Sequence, residues 1–437
     1  MANTEMPCLL YENTANLLPS QFCALPLRLM KKFEVPIIYR SPLISAIKNS
    51  RKQADKMKKD FSPTLLDFGP VRMHLARHFG FCYGVENAIE IAFKTIEAHP
   101  DKRIFLLSEM IHNPQVNADL QSRGVRFLQD TYGNQVLPFE ELTKEDIVII
   151  PAFGTTLDIE NKLHAIGITT AQYNTTCPFV EKVWNRSEQI AQKNYTVIVH
   201  GKPTHEETRA TFSHAADNTP TVIVNDMQEA IALGKYISGE KDAALFYTEF
   251  AGRYSKDFNA NKDLQQIGVV NQTTMLASDT QAIADYLKQV MKDTYHLSDN
   301  NIEERFADTR DTLCYATNDN QTAVFHLLQT TADLAIVVGG FNSSNTSHLV
   351  ELCEHQLPTY FIDTPDRIKS EHSIEHYNFH NKTVQSTNHF LPTKGPINIL
   401  ITSGASCPDA TVEAVIVKIM SYFSEATSIT EMTAAFK

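Results

Sequence analysis

The sequence predicts an α/β fold of doubly wound sheets, present in more than one copy, on three observations. From residue 71 onward, short β-branched runs alternate with longer helical patterns. The runs are mostly continuous in apolar residues, as strands covered by helices on both faces are. No fixed-period repeat of the solenoid kind breaks the series.

In chain order, strands are expected at 104–107, 147–150, 196–199, 222–224, 269–270, 334–338, 360–362 and 397–401. The first reads Ile-Phe-Leu-Leu and the last Ile-Asn-Ile-Leu-Ile, which suits buried parallel strands. Val85, Ile89, Ala92 and Ile96 recur at helical spacing between them. The same period returns in Val180, Val183, Trp184 and Ile190, in Ala323, Val324, Leu327 and Leu328, and in Val412, Val415 and Ile416. The stretch 233–266 is richer in Gly, Lys, Asp and Asn than its surroundings and reads as an insertion or a domain edge.

A chain of 437 residues suggests two or three domains at about 150 residues each. Hydrophobic residues at 43% and charged residues at 21% suit a folded chain and exclude a disordered one. The net charge, 39 − 51 = −12, argues against general nucleic-acid or anionic-membrane binding. No apolar run approaches the roughly 18–20 residues that span a bilayer. Residues 1–29 lack the features of a secretory or transit peptide and are expected to be dispensable, with Met30 an expected start of the folded part. A cytoplasmic location follows as the expectation. Residues 31–60 hold nine cations against three anions, a local charge of +6. Such a run is more often a solvated helix or arm than a docking site for an acidic partner.

The cysteines number seven, and an odd count without a secretory signal points to reduced thiols used for metal or catalysis. Cys82, Cys177 and Cys314 each lie in a loop entering a helical pattern. Unpaired N–H groups and the macrodipole at a helix N-terminus favour the thiolate, the form that binds metal. A lone cysteine in this setting is more often a small core hydrophobe. Three in the same setting, 95 and 137 residues apart, favour a site on which separate domains converge. That spacing excludes a compact zinc ribbon. Cys407, before Pro408 and another helical pattern, is a fourth candidate, and spacing alone does not choose between three and four ligands. Cys353 reads as core, and Cys8 and Cys23 lie in the N-terminal stretch.

Loops after three expected strands are rich in small hydrogen-bonding residues: 200–207, 339–346 and 402–406. Ligands of open α/β sheets bind at the carboxyl ends of the strands, and helix N-termini after Gly and Ser suit phosphate. Turn and capping chemistry explains most such loops singly. No dinucleotide fingerprint or phosphate-binding P-loop motif is present. His112, His205 and Glu207 stand out nearby, since near a metal and an anion His neutralises charge and Glu delivers a proton.

These motifs resemble the 4-hydroxy-3-methylbut-2-enyl diphosphate reductases, the IspH or LytB family, in its longer plastid-type branch. The carriers are Gly80-Phe81-Cys82-Tyr83-Gly84-Val85, Ile111-His112-Asn113-Pro114, Thr175-Thr176-Cys177-Pro178 and His205-Glu206-Glu207-Thr208. Asn271-Gln272-Thr273-Thr274, Cys314-Tyr315-Ala316-Thr317, Asn342-Ser343-Ser344-Asn345 and Ser403-Gly404-Ala405-Ser406 complete the set, over about residues 71–420. The resemblance implies an N-terminal extension, 1–70, followed by three α/β domains at 71–177, 178–311 and 312–437, arranged around one iron–sulfur cluster. It implies a 4Fe–4S cluster held by Cys82, Cys177 and Cys314 with one iron open, and leaves Cys407 out. An open iron acts as a Lewis acid on a bound hydroxyl, which a cluster closed by four Cys cannot do.

The implied reaction is reductive dehydroxylation of (E)-4-hydroxy-3-methylbut-2-enyl diphosphate to isopentenyl and dimethylallyl diphosphate, the last step of the methylerythritol phosphate route. Glu207, with the Thr273 hydroxyl, would protonate the departing oxygen. His112, His205, Thr273, Ser343, Ser344, Asn345 and Ser406 would hold the substrate, a set of neutral donors with no Lys or Arg. A ferredoxin or flavodoxin type donor would supply electrons, and the basic stretch 31–60 is a candidate landing surface for it. The sequence departs from many short members at Ala152-Phe153-Gly154, where they carry His between Ala and Gly. A non-catalytic iron–sulfur sensor and a zinc hydrolase are the competing readings. Glu207 and Thr273 argue against the sensor, which needs no proton relay.

Overall fold

The computed structural model describes residues 33–307, 312–393 and 395–437. Cys8, Cys23 and Met30 lie outside the described residues. Every expected strand forms, with each end within two residues of its expected position. They gather in three sheets, each wrapped by helices. One sheet runs Thr64–Asp67, Val71–Leu75, Ile397–Ser403, Leu334–Val338, Thr359–Ile362. A second runs Arg126–Phe127, Ile104–Leu106, Ile147–Ile149, and the third Thr221–Val224, Thr196–His200, Ile267–Asn271, Phe306–Ala307.

Most pairings are parallel, and the interior strands Thr196–His200, Ile267–Asn271, Leu334–Val338 and Ile104–Leu106 are buried along their whole length, as both-face coverage requires. Two elements differ from that scheme. Thr64–Asp67 pairs antiparallel with Val71–Leu75 and gives the first sheet an antiparallel edge. The chain reverses at Gly69, whose φ of +92° suits glycine. Ser373–Asn378 and Thr383–Asn388 form a separate antiparallel hairpin of mostly polar residues. The strand Val71–Leu75 also joins segments far apart in sequence, because it pairs with Ile397–Ser403 near the other end of the chain.

Residues 233–266 pack as short helices around Phe246, whose ring stacks on Phe250 and Phe258 at 4.9 and 5.1 Å. The excursion joins the outer edge of the third sheet, where the Arg253 carbonyl accepts from the Ile223 N–H at 2.8 Å. The described part of the basic stretch, from residue 33, holds a helix. Helix Pro42–Ala54 starts on Ser41, whose Oγ accepts from the Ile44 N–H at 2.9 Å, with Pro42 at the first position. It buries Leu43, Ile44 and Ile47, and Lys48 donates to Asp409 at 2.7 Å and to the Phe79 carbonyl at 3.1 Å. Lys52, Lys56, Lys58 and Lys59 stay exposed. Among the described residues, no helix is long and apolar enough to cross a membrane.

Candidate active site

The loops that leave the carboxyl ends of the parallel strands converge, as open α/β sheets dictate. Thr196–His200 leads to His205 and Glu207, Ile267–Asn271 to Thr273, Leu334–Val338 to Ser343, and Ile397–Ser403 to Ser406. One cavity is lined by Cys82, Cys177 and Cys314 together with His112, His205, Glu207, Thr273, Ser343, Ser344, Asn345 and Ser406. All residues singled out as site candidates on the family resemblance therefore face one space. Five of them (Cys82, Cys177, His205, Cys314 and Ser343) are helix N-caps, so five helix N-termini aim their N–H groups and positive dipole ends toward it.

The three thiols are free. Burial pushes each of them up, Cys314 to about 12, while the N–H groups of Gly84 and Val85 at Cys82, and of Ala316 and Thr317 at Cys314, pull the other way. Burial thus outweighs the helix N-termini that favour a thiolate. Three thiolates in one dry cavity need a cationic partner between them. Gly84 shows how closely the walls approach: a Cβ there would lie 2.5 Å from Cys177 Sγ. Among the described residues no group of three His, Cys, Asp or Glu could hold a single metal ion. The thiols fit a polynuclear group that spans them, with soft sulfur donors suited to iron and sulfide.

Glu207 is 1% exposed and is pushed up to about 7, chiefly by burial. The Thr273 N–H donates to its Oε1, and the Thr273 hydroxyl donates to its Oε2 at 3.0 Å. His205 accepts from the Glu207 N–H on Nδ1 at 3.1 Å, and burial drives its pKa well below the ordinary value. It is therefore the neutral tautomer with the proton on Nε2. That Nε2 is buried and without a partner, so it is a neutral donor awaiting an acceptor. His112 is fixed differently. Its Nε2 meets Glu206 Oε2 at 2.7 Å, and Ser108 donates to Glu206 Oε1 at 2.6 Å. Glu206 and Ser108 had no role in the sequence reading, since Glu206 meets His112 across 94 residues of chain. Phe153 stacks on the His112 ring at 4.2 Å and stands edge-on to His205 at 5.6 Å. It braces both histidines in place of a polar contact.

The remaining polar residues divide into those already engaged and those left open. Ser343 Oγ accepts from the Thr346 N–H and hydroxyl, at 3.2 and 2.9 Å, and Ser406 Oγ donates to the His112 carbonyl at 3.0 Å. Asn345 Oδ1 accepts from the Ala405 N–H at 2.9 Å, which turns its amide N–H group free side outward. Asn345 Nδ2 and Ser344 Oγ are buried without a partner. Buried polar atoms without partners are costly unless a ligand completes them. Gly340 keeps the wall tight, because a Cβ there would meet the His112 carbonyl at 2.3 Å.

Cys407 lies elsewhere. It is fully buried in the core of the first sheet and does not line the cavity. Cys353, in the last turn of helix Ser344–Glu354, is fully buried in the core, as expected. A larger cleft of about 720 Å³ opens beside Tyr315 and Phe179, close in sequence to Cys314 and Cys177, but no Cys or His is among its described lining.

Residues 73–420 match the sequence profile of the LytB protein family. A 4-hydroxy-3-methylbut-2-enyl diphosphate reductase of Synechococcus sp. (strain CC9902) is 42% identical over 357 residues, 81% of this chain and 86% of that protein. The reductase of the same name from Prochlorococcus marinus (strain MIT 9211) is 40% identical over 363 residues, 83% of this chain and 87% of that protein. In fold, the chain is similar to the E-1-hydroxy-2-methyl-but-2-enyl-4-diphosphate reductase of Plasmodium falciparum, with a TM-score of 0.57 and 23% identity over 80% of this chain and 87% of that one. Three thiols, a raised carboxyl and a set of neutral donors in one cavity thus sit in a chain that belongs to the LytB family.

Proposed function

We propose that this chain reduces (E)-4-hydroxy-3-methylbut-2-enyl diphosphate to isopentenyl and dimethylallyl diphosphate, the last step of the methylerythritol phosphate pathway. The observation that carries the reading is Glu207, a carboxyl held protonated near neutrality, in the same cavity as the three free thiols. The reaction breaks one C–O bond and forms one C–H bond. It consumes two electrons and two protons and releases one water.

Cys82, Cys177 and Cys314 would hold a 4Fe–4S cluster, and the donor set supports it: three free sulfur ligands, no fourth cysteine on the cavity among the described residues, and a buried setting that disfavours bare thiolates. When bound, such a cluster supplies single electrons and, at an iron without a cysteine, Lewis acidity toward the hydroxyl. The protein's own residues do the rest. Glu207 carries the proton that lets the hydroxyl leave as water, and Thr273 holds that carboxyl in place through two hydrogen bonds. The diphosphate is held by His205 Nε2, Ser344 Oγ and Asn345 Nδ2, the partnerless groups, with His112, Ser343 and Ser406 around them. Five helix N-termini balance the anion.

We take the three sheets as the cores of three α/β domains around the cluster. The electrons come from a small acidic carrier of the ferredoxin or flavodoxin type. Exposed Lys52, Lys56, Lys58 and Lys59 support such docking, as does Tyr315, 39% exposed and next to Cys314. The test is anaerobic reconstitution with iron and sulfide, then turnover with a small chemical reductant. Formation of isopentenyl and dimethylallyl diphosphate supports the reading, and a loaded protein that forms neither refutes it.

A further inference from the structure

His112, His205 and Ser344 line the inner cavity and also a second, outer cavity of about 310 Å³. The outer cavity differs in its charge. Lys202 enters it from the loop after strand Thr196–His200, and Lys382 from the turn of the hairpin Ser373–Asn378 and Thr383–Asn388. Lys202 is half-buried, and its ammonium forms no ion pair or side-chain hydrogen bond among the described residues.

The nearby carboxylates are committed elsewhere. Glu206 bonds His112 and Ser108, and Glu351 bonds His348 Nδ1 at 3.2 Å. Burial lowers the pKa of Lys202, Glu351 raises it, and Lys382 lowers it again, as expected of two cations facing one space.

The walls that carry these lysines are braced. Tyr377 of the hairpin stacks on Phe341 at 4.5 Å, and both rings line the outer cavity. Lys382 sits in the left-handed region at φ +54°, which fixes the turn that presents it. On the opposite side, the Arg209 guanidinium donates to the carbonyls of Thr131 and Tyr132 and holds that loop against helix Glu206–Ala216. Two lysines in one cavity whose lining carboxylate, Glu206, is bonded to His112 and Ser108 make a site for an anion. His205 and Ser344, which carry the partnerless Nε2 and Oγ, belong to the lining of both cavities.

We propose that Lys202 and Lys382 form a cationic vestibule through which the diphosphate end of the substrate enters, and that Lys202 stays in contact with the terminal phosphate once it is bound. The proposal deepens the functional reading above and rests on it for the identity of the substrate. It also accounts for a site whose inner lining holds no Lys or Arg: the steering charge stands one layer outside it. Lys202 anchors, and Lys382, exposed on its turn, steers.

The test uses the reconstituted enzyme with a small chemical reductant, and separately the binding of inorganic pyrophosphate by calorimetry. Lys202→Gln is expected to weaken pyrophosphate about tenfold to a hundredfold, the range for one charged hydrogen bond, and to raise KM more than it lowers kcat. Lys202→Arg restores most of the binding. Lys382→Gln is expected to lower kcat/KM at low ionic strength and to flatten its salt dependence. Unchanged melting curves show that the variants fold, and Lys382, on an exposed turn, tests the vestibule independently of Lys202. Pyrophosphate affinity and salt dependence that ignore both lysines overturn the vestibule, whether or not the enzyme turns over. A wild-type protein that binds pyrophosphate through Lys202 but reduces no substrate overturns the functional reading alone.

Discussion

Thr273→Val is expected to move the alkaline limb of the pH profile upward. Glu207 is pushed up to about 7, so about half of the free enzyme carries the catalytic proton at pH 7. A glutamate of ordinary pKa would carry it in only about 0.3% of molecules, so burial enlarges the active fraction about 150-fold. Because kcat/KM reports ionisations of the free enzyme, it should be flat below pH 7 and fall about tenfold per pH unit above it. The two Thr273 hydrogen bonds oppose burial, since they stabilise the carboxylate. Replacing Thr273 by Val removes the hydroxyl bonded to Oε2 at 3.0 Å and keeps the N–H bonded to Oε1. A hydrogen bond to an ionised acceptor contributes about 1.5–3 kcal/mol, and 1.36 kcal/mol corresponds to one pH unit. The limb should therefore shift up by about one to two pH units, even as the absolute rate falls. The assay is kcat/KM from pH 5.5 to about 9.5 for both proteins with the same substrate and chemical reductant. Ionisation of the substrate is common to both and cannot produce the difference. A limb that stays in place, or moves to lower pH, refutes the assignment of the proton to Glu207.

Four other outcomes follow from the same geometry. Cys82→Ser, Cys177→Ser and Cys314→Ser should each lose iron, sulfide and activity together, whereas Cys407→Ser, buried away from the cavity, should keep all three in an iron assay. Gly84→Ala puts a carbon 2.5 Å from Cys177 Sγ, so iron content should drop in a protein whose circular dichroism is unchanged. Glu206→Gln removes the charge that latches His112 at 2.7 Å and should raise KM about tenfold, with Ser108→Ala a milder version of the same change. Glu207 also links protons to stability: its folded pKa, about 7, lies above the ordinary 4.5, so its contribution is complete below 4.5 and is lost as pH rises through 7. That loss is about 3 kcal/mol, so Glu207→Gln in the cluster-free protein should flatten the fall in urea midpoint between pH 5 and 8.

Much of the fold is readable in the sequence because a strand buried on both faces must be apolar at every position. Leu334–Val338 meets that demand at every position, and Ile397–Ser403 meets it closely enough, with Asn398 the one polar residue before Thr402, to declare itself. Val71–Leu75 does not. Its Arg72 and His74 alternate with buried Val71, Met73 and Leu75, a half-covered pattern that a search for continuous runs passes over. The hairpin at 373–388 is hidden for a related reason: it covers little core, so its side chains are mostly polar. The loops of the three cysteines, and those of Glu207 and of Thr273 taken singly, are readable because each carries its motif in consecutive residues, while the choice of three cysteines over four and the pairing of Glu207 with Thr273 across 66 residues rest on the family resemblance. Contacts that close across the fold are not. The His112–Glu206 latch and the two lysines of the outer cavity come from segments far apart in sequence, and only packing brings them together. The preference between Ser343 and Ser344 also needs coordinates, because the first is spent as a helix cap while the second keeps its hydroxyl open.

The central claim is that three cysteines hold a redox cluster beside a protonated glutamate that lets a hydroxyl leave as water. Its most direct measurement is single-turnover product formation by anaerobically reconstituted protein, with iron and sulfide counted on the same sample. The account predicts a cluster with four irons and four sulfides, and isopentenyl plus dimethylallyl diphosphate formed in proportion to it. It also predicts that Glu207→Gln keeps the cluster while product formation slows about a hundredfold to ten-thousandfold. A fully loaded wild-type protein that forms no product, or a Glu207→Gln variant that turns over at the wild-type rate, would contradict it.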